Sequence, residues 1–237
     1  IRDNATASTV VIDNNGSDHG RLSIASCCLL DRFKVFSGSH QRGRFFICVS
    51  HRYITPVREG CTKMNEKNPN AVWTSELFDI FSQAGVTLYS YIPDAGNKRL
   101  IELAEAANET KTVLLTSEEE GVAVCAGAEL VGERGVLCMQ SSGVGNIPNF
   151  LSFVKGGRFP LLMMVSMRGD YGEQNPWQYP MGEAVQPILD AMGVLTFWVL
   201  EPSDLQKAAT AACNAVHKGG RAAALILGQK FLGAKAF

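Results

Sequence analysis

Two stretches of the chain combine residue types that can do chemistry at a spacing that would bring them together. The first is TSEEEGVAVCAG, residues 116–127, in which three glutamates follow Ser117. The interval from Ser117 to Glu120 is the S-x-x-E spacing of a capping box, and acidic residues in a first helical turn suit the helix dipole, so a structural role accounts for the pattern. Helix periodicity adds a second reading: Glu120 shares its face with Ala123, Val124 and Gly127, whereas Glu118 points toward Cys125 and Glu129. Glu120 is therefore expected on a packed, dry surface. A carboxyl in that setting can donate or share a proton, as acid/base catalysis or the tuning of a cofactor requires.

The second stretch is VLCMQSSGVGNIPNF, residues 136–150, an apolar strand that ends in a Ser/Gly loop and enters a helix with Pro148 in its first turn. The paired glycines let backbone approach a ligand closely. A dinucleotide fingerprint, G-x-G-x-x-G, fails at its third glycine, where Pro148 stands, although Asp170 follows Gly143 by 27 residues and keeps a nucleotide-binding α/β domain open as an alternative. A tight structural strand-to-helix turn accounts for the spacing equally well.

Positioning these loops falls to an alternation of helices with short apolar runs. Helical patterns cover 73–83, 97–107, 118–131, 146–154, 182–192 and 203–217; strand-like runs cover 86–92, 112–116, 135–140, 161–166, 194–200 and 222–227. Runs such as LLMMVS and AAALIL are apolar on both faces, as parallel strands covered by helices on both sides must be. The expected fold is an α/β, doubly wound, mostly parallel six-stranded sheet with helices on both faces, and in such sheets ligands gather at the carboxyl ends of the strands. The loops to watch are therefore 93–96, 117–120, 141–146 and 167–180.

Composition bounds the rest. A chain of 237 residues with 46% hydrophobic and 19% charged residues can bury a sizeable core, which excludes disorder, collagen and small disulfide scaffolds. A net charge of -1 provides no basic field for non-specific nucleic-acid binding. That total hides an asymmetry: residues 1–63 carry +4, with four of the seven cysteines and three of the four histidines, and residues 64–237 carry -5. The first stretch has no sustained period and no paired CxxC, and its longest apolar run, 22–30, is too short to span a bilayer. Met64 then opens MNEKNPNAVWTSELFDIF. We expect residues 1–63 to be an extension outside the functional fold and 64–237 to form the functional domain. Cys125, Cys138 and Cys213 lie in apolar helix or strand contexts, consistent with buried thiols in a reducing cytoplasm.

The glutamate-led helix EGVAVCAGAELVG, the strand VLCMQ, the loop SSGVGN and the strand FPLLMMVSMRGDYGE, in that order, resemble the pyrimidine-binding domain of thiamine-diphosphate enzymes. Within that superfamily the chain is most similar to the alpha subunits of sulfopyruvate decarboxylase and phosphonopyruvate decarboxylase. The likeness covers 73–237 and includes IPDAGNK, residues 92–98, similar to the family's substrate-side turn. The resemblance implies that Glu120 hydrogen-bonds a ring nitrogen of the cofactor's aminopyrimidine and favours the tautomer that activates the thiazolium carbon for decarboxylation of a 2-oxo acid. It also implies cofactor contacts from Gln140, Ser141, Ser142, Gly143 and Asn146.

Family members anchor the diphosphate and Mg2+ through a G-D-G run with asparagines some thirty residues later. This chain has only Gly169-Asp170-Tyr171, and its one Asn-Asn pair is Asn14-Asn15. No metal ligands are expected here, then; the resemblance implies that a beta subunit carries that half-site in a hetero-oligomer, so that this chain alone is inactive. For a sulfonate or phosphonate tail the available polar set is Asp94, Asn97, Lys98 and Arg168. The loop NPWQYPMG departs from relatives by carrying Gln178 where several place a histidine, which leaves the particular acid undetermined, and Trp177 and Tyr179 suit either a lid or an interface. A non-catalytic subunit of the same fold is a further alternative.

Overall fold

The computed structural model describes residues 69–233, with side chains from Val72 onward. The expectation for residues 1–63 falls outside the described residues.

Among the described residues seven α-helices and six strands follow one another as α1 (Pro69–Gln83), β1 (Val86–Tyr91), α2 (Lys98–Ala106), β2 (Lys111–Leu114), α3 (Glu118–Leu130), β3 (Arg134–Gln140), α4 (Pro148–Gly157), β4 (Leu161–Ser166), α5 (Tyr179–Met192), β5 (Leu195–Val199), α6 (Leu205–His217), β6 (Ala222–Leu227) and α7 (Gln229–Leu232). The strands make one sheet in the order β2-β1-β3-β4-β6-β5. Every pairing is parallel, so the sheet is wholly rather than mostly parallel.

The continuous apolar runs follow from burial on both faces. Successive side chains of a strand point to opposite sides, so Val136, Cys138, Leu162, Met164 and Leu225 pack into one apolar layer. Leu137, Met139, Met163, Val165 and Ile226 pack into the other. The first layer is closed by α1, α2 and α6 through residues such as Leu77, Leu100 and Ala209. The second is closed by α3, α4 and α5 through Val122, Leu151 and Leu189. Each fully buried leucine stabilises the fold by about 1.5–3 kcal/mol relative to exposure.

Helix α1 begins at Pro69, four residues before the expected 73, and two helix starts near the site also differ from the spacing-based expectation. The α5 helix begins at Tyr179 rather than at 182 because Pro180 sits in its first turn, where proline's missing N–H costs nothing. Residues Ser141–Gly145 form a 3-10 turn, so α4 starts at Pro148 rather than at 146. The short α7 helix meets the core, where Phe231 packs edge-on against Trp73 with ring centroids 5.4 Å apart. Among the described residues no helix is long and apolar enough to cross a membrane.

Cys125, Cys138 and Cys213 are free and buried. Burial pushes the thiols of Cys125 and Cys213 up to about 11. Thiolate is the reactive form, so peptide-resolved alkylation of the native chain at pH 8 is expected to leave all three unlabelled under conditions that label them fully in denaturant.

Candidate active site

In the order β2-β1-β3-β4-β6-β5 the connections diverge between β1 and β3: α2 carries the chain from β1 outward to β2, and α4 carries it from β3 the opposite way to β4. Side chains at the carboxyl ends of such diverging strands line a crevice into which neither connection folds. Here that crevice is bordered by the start of α3, the 3-10 turn after β3 and the loops after β1 and β4.

The start of α3 does not form the expected capping box. Ser117 is the extended N-cap residue and makes no side-chain cap bond. Glu120 instead turns back one residue further, its Oε2 accepting from Thr116 N at 2.9 Å and Thr116 Oγ1 at 2.8 Å. Glu120 is exposed, and its neighbours Ala123 and Gly127 on the same face are exposed too. The expectation that Glu120 faces a packed surface is thereby corrected: α3 turns Glu118, Val122 and Cys125 inward, at intervals of four and three residues, and Glu118 is 7% exposed. The physical reason is volume. Ala123 and Gly127 bury little area, so the larger Val122 and Cys125 decide which face meets the sheet.

The Glu118 carboxylate lies on the 3-10 turn. Its Oε2 accepts from Asn146 Nδ2 at 2.8 Å, and a Cβ at position 143 would fall on Oε1, so any residue other than glycine there must displace the Glu118 side chain. Gly143→Ala is expected to push the carboxylate aside and to cost about 1–3 kcal/mol of stability, read from urea unfolding.

A second carboxylate ties three strand ends together. Asp94, after β1, accepts through Oδ1 from Gln140 Nε2 at the end of β3, at 2.9 Å. Its Oδ2 accepts from Ser166 Oγ at the end of β4, at 2.6 Å, and from Gly96 N at 2.8 Å. Ser142 Oγ extends the chain of bonds by donating to Gln140 Oε1 at 3.0 Å. Gly96 is a second position of close approach, since a Cβ there would lie 2.5 Å from Ser166 Cβ.

The remaining expected site residues divide. Asn97 is buried, donating to Ile92 O at 3.0 Å and accepting from Asp94 N at 3.3 Å, so it builds the turn rather than facing the crevice. The Lys98 side chain is 76% exposed and reaches Glu102 at 4.0 Å, away from the crevice. Neither side chain is among those lining the cleft beside Asp94, Asn97 being held in the turn and Lys98 carried away by helix phase. Ser141 is buried and braces the loops after β3 and β4, its Oγ donating to Arg168 O and accepting from Arg168 N, both at 3.1 Å.

Beside Asp94 lies a cavity of about 250 Å3 lined by Trp73, Arg99, Ser166 and Arg168 among others. Arg168 Nε and Nη2 donate to Glu173 Oε2 and Oε1 at 2.5 and 2.6 Å. The Glu173 side chain has no exposed surface. It also accepts from the backbone N–H groups of Gly169, Gln174 and Asn175 at 3.3, 3.0 and 2.9 Å, and from Gln229 Nε2 at 2.8 Å. The Arg168 guanidinium beside it holds this carboxyl well below the usual carboxylate range. Asp170 behaves oppositely, burial raising its carboxyl above the usual value. Tyr179 is anchored through its hydroxyl to Glu173 O at 2.6 Å, and Trp177 is 87% exposed. Arg99, Ser166, Glu173 and Gln229 are functional candidates that spacing along the chain does not single out. The i+5 interval from Arg168 to Glu173 is their only local trace.

Among the described residues no group of three His, Cys, Asp or Glu could hold a metal ion. The chemistry available is that of one buried carboxylate at a helix start, a bracketed aspartate and two arginines around a small cleft.

No family model matches the chain. The alpha subunit of sulfopyruvate decarboxylase from Methanocaldococcus jannaschii is 32% identical over 143 residues, covering 60% of this chain and 85% of that relative. Sulfopyruvate decarboxylase of Methanosarcina acetivorans is 32% identical over 126 residues, 53% of this chain but only 32% of the relative. Phosphonopyruvate decarboxylase of Streptomyces viridochromogenes is 32% identical over 133 residues, 55% of this chain and 34% of the relative. In fold the chain is similar to a 2-oxoglutarate:ferredoxin oxidoreductase from Magnetococcus marinus, with a TM-score of 0.51 and 16% identity over 65% of this chain and 28% of that one. The chain therefore belongs to the family of sulfopyruvate decarboxylase alpha subunits.

Proposed function

We propose that this chain, through its segment 64–237, is the alpha-type subunit of a cytoplasmic, thiamine-diphosphate-dependent decarboxylase of short 2-oxo acids, and that Glu118 rather than Glu120 is its activating carboxyl. The observation that carries this is the buried Glu118 carboxylate at the mouth of α3, seated on Gly143 and oriented by Asn146. These residues fit the aminopyrimidine end of the cofactor: a carboxylate with one oxygen occupied by Asn146 and the other over a glycine is suited to a ring nitrogen that shares a proton. When bound, thiamine diphosphate supplies the electron sink that accepts the pair released as carbon dioxide leaves.

Each side chain then has a separable task. Glu118 holds or shares a proton at Oε1, Asn146 fixes the carboxylate through Oε2, and the absent side chain at Gly143 lets the group sit flush on the turn. Gln140 and Ser142 present polar atoms along the same edge, and Asp94 keeps the ends of β1, β3 and β4 in register around the cleft. Ser141 acts at one remove, by bracing the turn.

A second polypeptide supplies the diphosphate and Mg2+ contacts in this reading. Support comes from the relatives: the match spans 85% of a separate alpha subunit but 32% of a single chain bearing the same enzyme name, as though the remainder were carried elsewhere when the chain is split. The test is to co-express the chain with a candidate beta subunit and measure carbon dioxide release from 2-oxo acids with thiamine diphosphate and Mg2+. Release by the pair and by neither chain alone is the expected result; release by this chain alone would overturn the division of the site.

A further inference from the structure

The geometry points to a second binding site, at the end of the sheet opposite the crevice: a cleft with an apolar floor and three cations, Lys155, Arg158 and Arg221, that takes a phosphate monoester with an apolar body. It lies a strand's length away, about 20 Å for the six residues of β4. None of the residues assigned to decarboxylation lines it.

This cavity of about 400 Å3 opens where β4, β5 and β6 begin, between the ends of α4 and α5. Leu151, Val154 and Val194 are buried and make its floor. The Phe159 ring lines one side and is tilted against Phe153, with centroids 5.0 Å apart. Small-ligand pockets of this volume are mostly apolar with a few placed polar groups. Here every charged side chain of the lining is a cation, within a segment, 64–237, that carries -5.

The three cations are available. Among the described residues no ion pair or side-chain hydrogen bond engages Lys155, Arg158 or Arg221. Cations near helix ends commonly serve the last carbonyls, and α4, α5 and α6 all end at this edge. Their carbonyls already have backbone donors: Val154 O accepts from Phe159 N at 3.1 Å, Leu189 O from Val194 N at 3.0 Å and Ala215 O from Arg221 N at 3.1 Å. Each helix end contributes about half a negative charge, so three cations leave the edge positive.

The backbone at Arg158 is an independent observation. This residue closes α4 at φ 56°, and it is the only non-glycine residue with positive φ among the described residues. That conformation favours glycine, and Gly156 and Gly157 stand immediately before it. Strain of this kind persists at ligand clamps, where the side chain is needed. From the other side Lys155 reaches toward Gly193, its Nζ 3.9 Å from where a Cβ on that glycine would stand. Two guanidinium groups and an ammonium suit the three terminal oxygens of a phosphate monoester, which accept paired N–H donors. The lining carries no neutral polar side chain to read a sugar or a base, so the rest of the ligand is apolar.

The test is a calorimetric titration of the full chain with 1-naphthyl phosphate, octyl phosphate, inorganic phosphate and 1-naphthol, the two esters telling a planar body from an extended one. At least one ester is expected to bind tenfold or more tightly than either inorganic phosphate or 1-naphthol, with an affinity that falls as salt rises. Arg158→Gly relieves the left-handed backbone, so it is expected to keep or raise the melting temperature while weakening the ester tenfold or more. Arg221→Gln is expected to weaken it likewise, and Lys207→Gln, at an exposed lysine outside the cleft, to leave it unchanged. Wild-type affinity in both arginine variants, an equal loss in Lys207→Gln, or no preference for an ester over inorganic phosphate and 1-naphthol would each overturn the inference. Binding is read on the chain alone, so the result does not depend on whether decarboxylation is found.

Discussion

Glu118→Gln is expected to lower carbon dioxide release by the assembled enzyme by about 10²–10⁴-fold, the range that positioned proton transfer contributes, while Glu120→Gln stays within a few-fold of wild type. The two variants change the same functional group two residues apart, so the contrast isolates placement. Glutamine keeps the shape of the glutamate and an oxygen that can accept from Asn146 Nδ2, which preserves the contact with the turn. It loses the capacity to take up a proton. Glu120 bonds only to Thr116 at the surface, so its loss touches a helix start and not the crevice. Carbon dioxide release measured beside the melting temperature of each variant separates the two effects. Equal activity of Glu118→Gln and wild type would end the assignment.

Glu173→Ala is expected to be the most destabilising single change at the site, by about 3–5 kcal/mol, because it leaves the Arg168 guanidinium largely buried without its counter-charge. The same change strips acceptors from three backbone N–H groups and from Gln229. Against a typical total stability of about 5–15 kcal/mol this is a large share, and thermal unfolding is expected to fall by roughly 10 °C.

Acid sharpens this expectation. An unfolded glutamate titrates near about 4.3, whereas Arg168 holds the folded Glu173 carboxyl well below that. The folded state therefore gains full benefit from this carboxylate above about pH 5, and the benefit drains away as pH falls further toward the folded value. Arg168 keeps its charge across this range. Urea unfolding between pH 3 and 6 is expected to show a slope in wild type that is shallower in Glu173→Gln. An identical slope in both would mean that other carboxylates govern the acid limb.

The strands and helices were legible because their signal is local. Runs such as LLMMVS can be buried on both faces only in a covered parallel sheet, and β4 spans the same six residues in the structure as in the pattern. The family was legible because the glutamate-led helix, the strand and the Ser/Gly loop keep their order, which needs no knowledge of packing.

The choice among neighbouring side chains was not legible. Glu118 and Glu120 stand on one helix, and periodicity offers each a face; which face is buried depends on Val122 and Cys125 finding the sheet, a contact made across the chain. Lys98 and Arg99 differ by one helical step, and only the direction of α2 over β1 sends the second into the cleft. The Arg168–Glu173 pair left no mark beyond a short interval, since its third member, Gln229, arrives from α7. By itself the sequence determined the fold class, the family and the loops around the crevice, since those follow from periodicity and order along the chain. Tertiary structure alone decided which glutamate is buried, which cation faces the cleft and what holds it, because burial and charge pairing are set by residues far apart in sequence that meet only when the sheet is assembled.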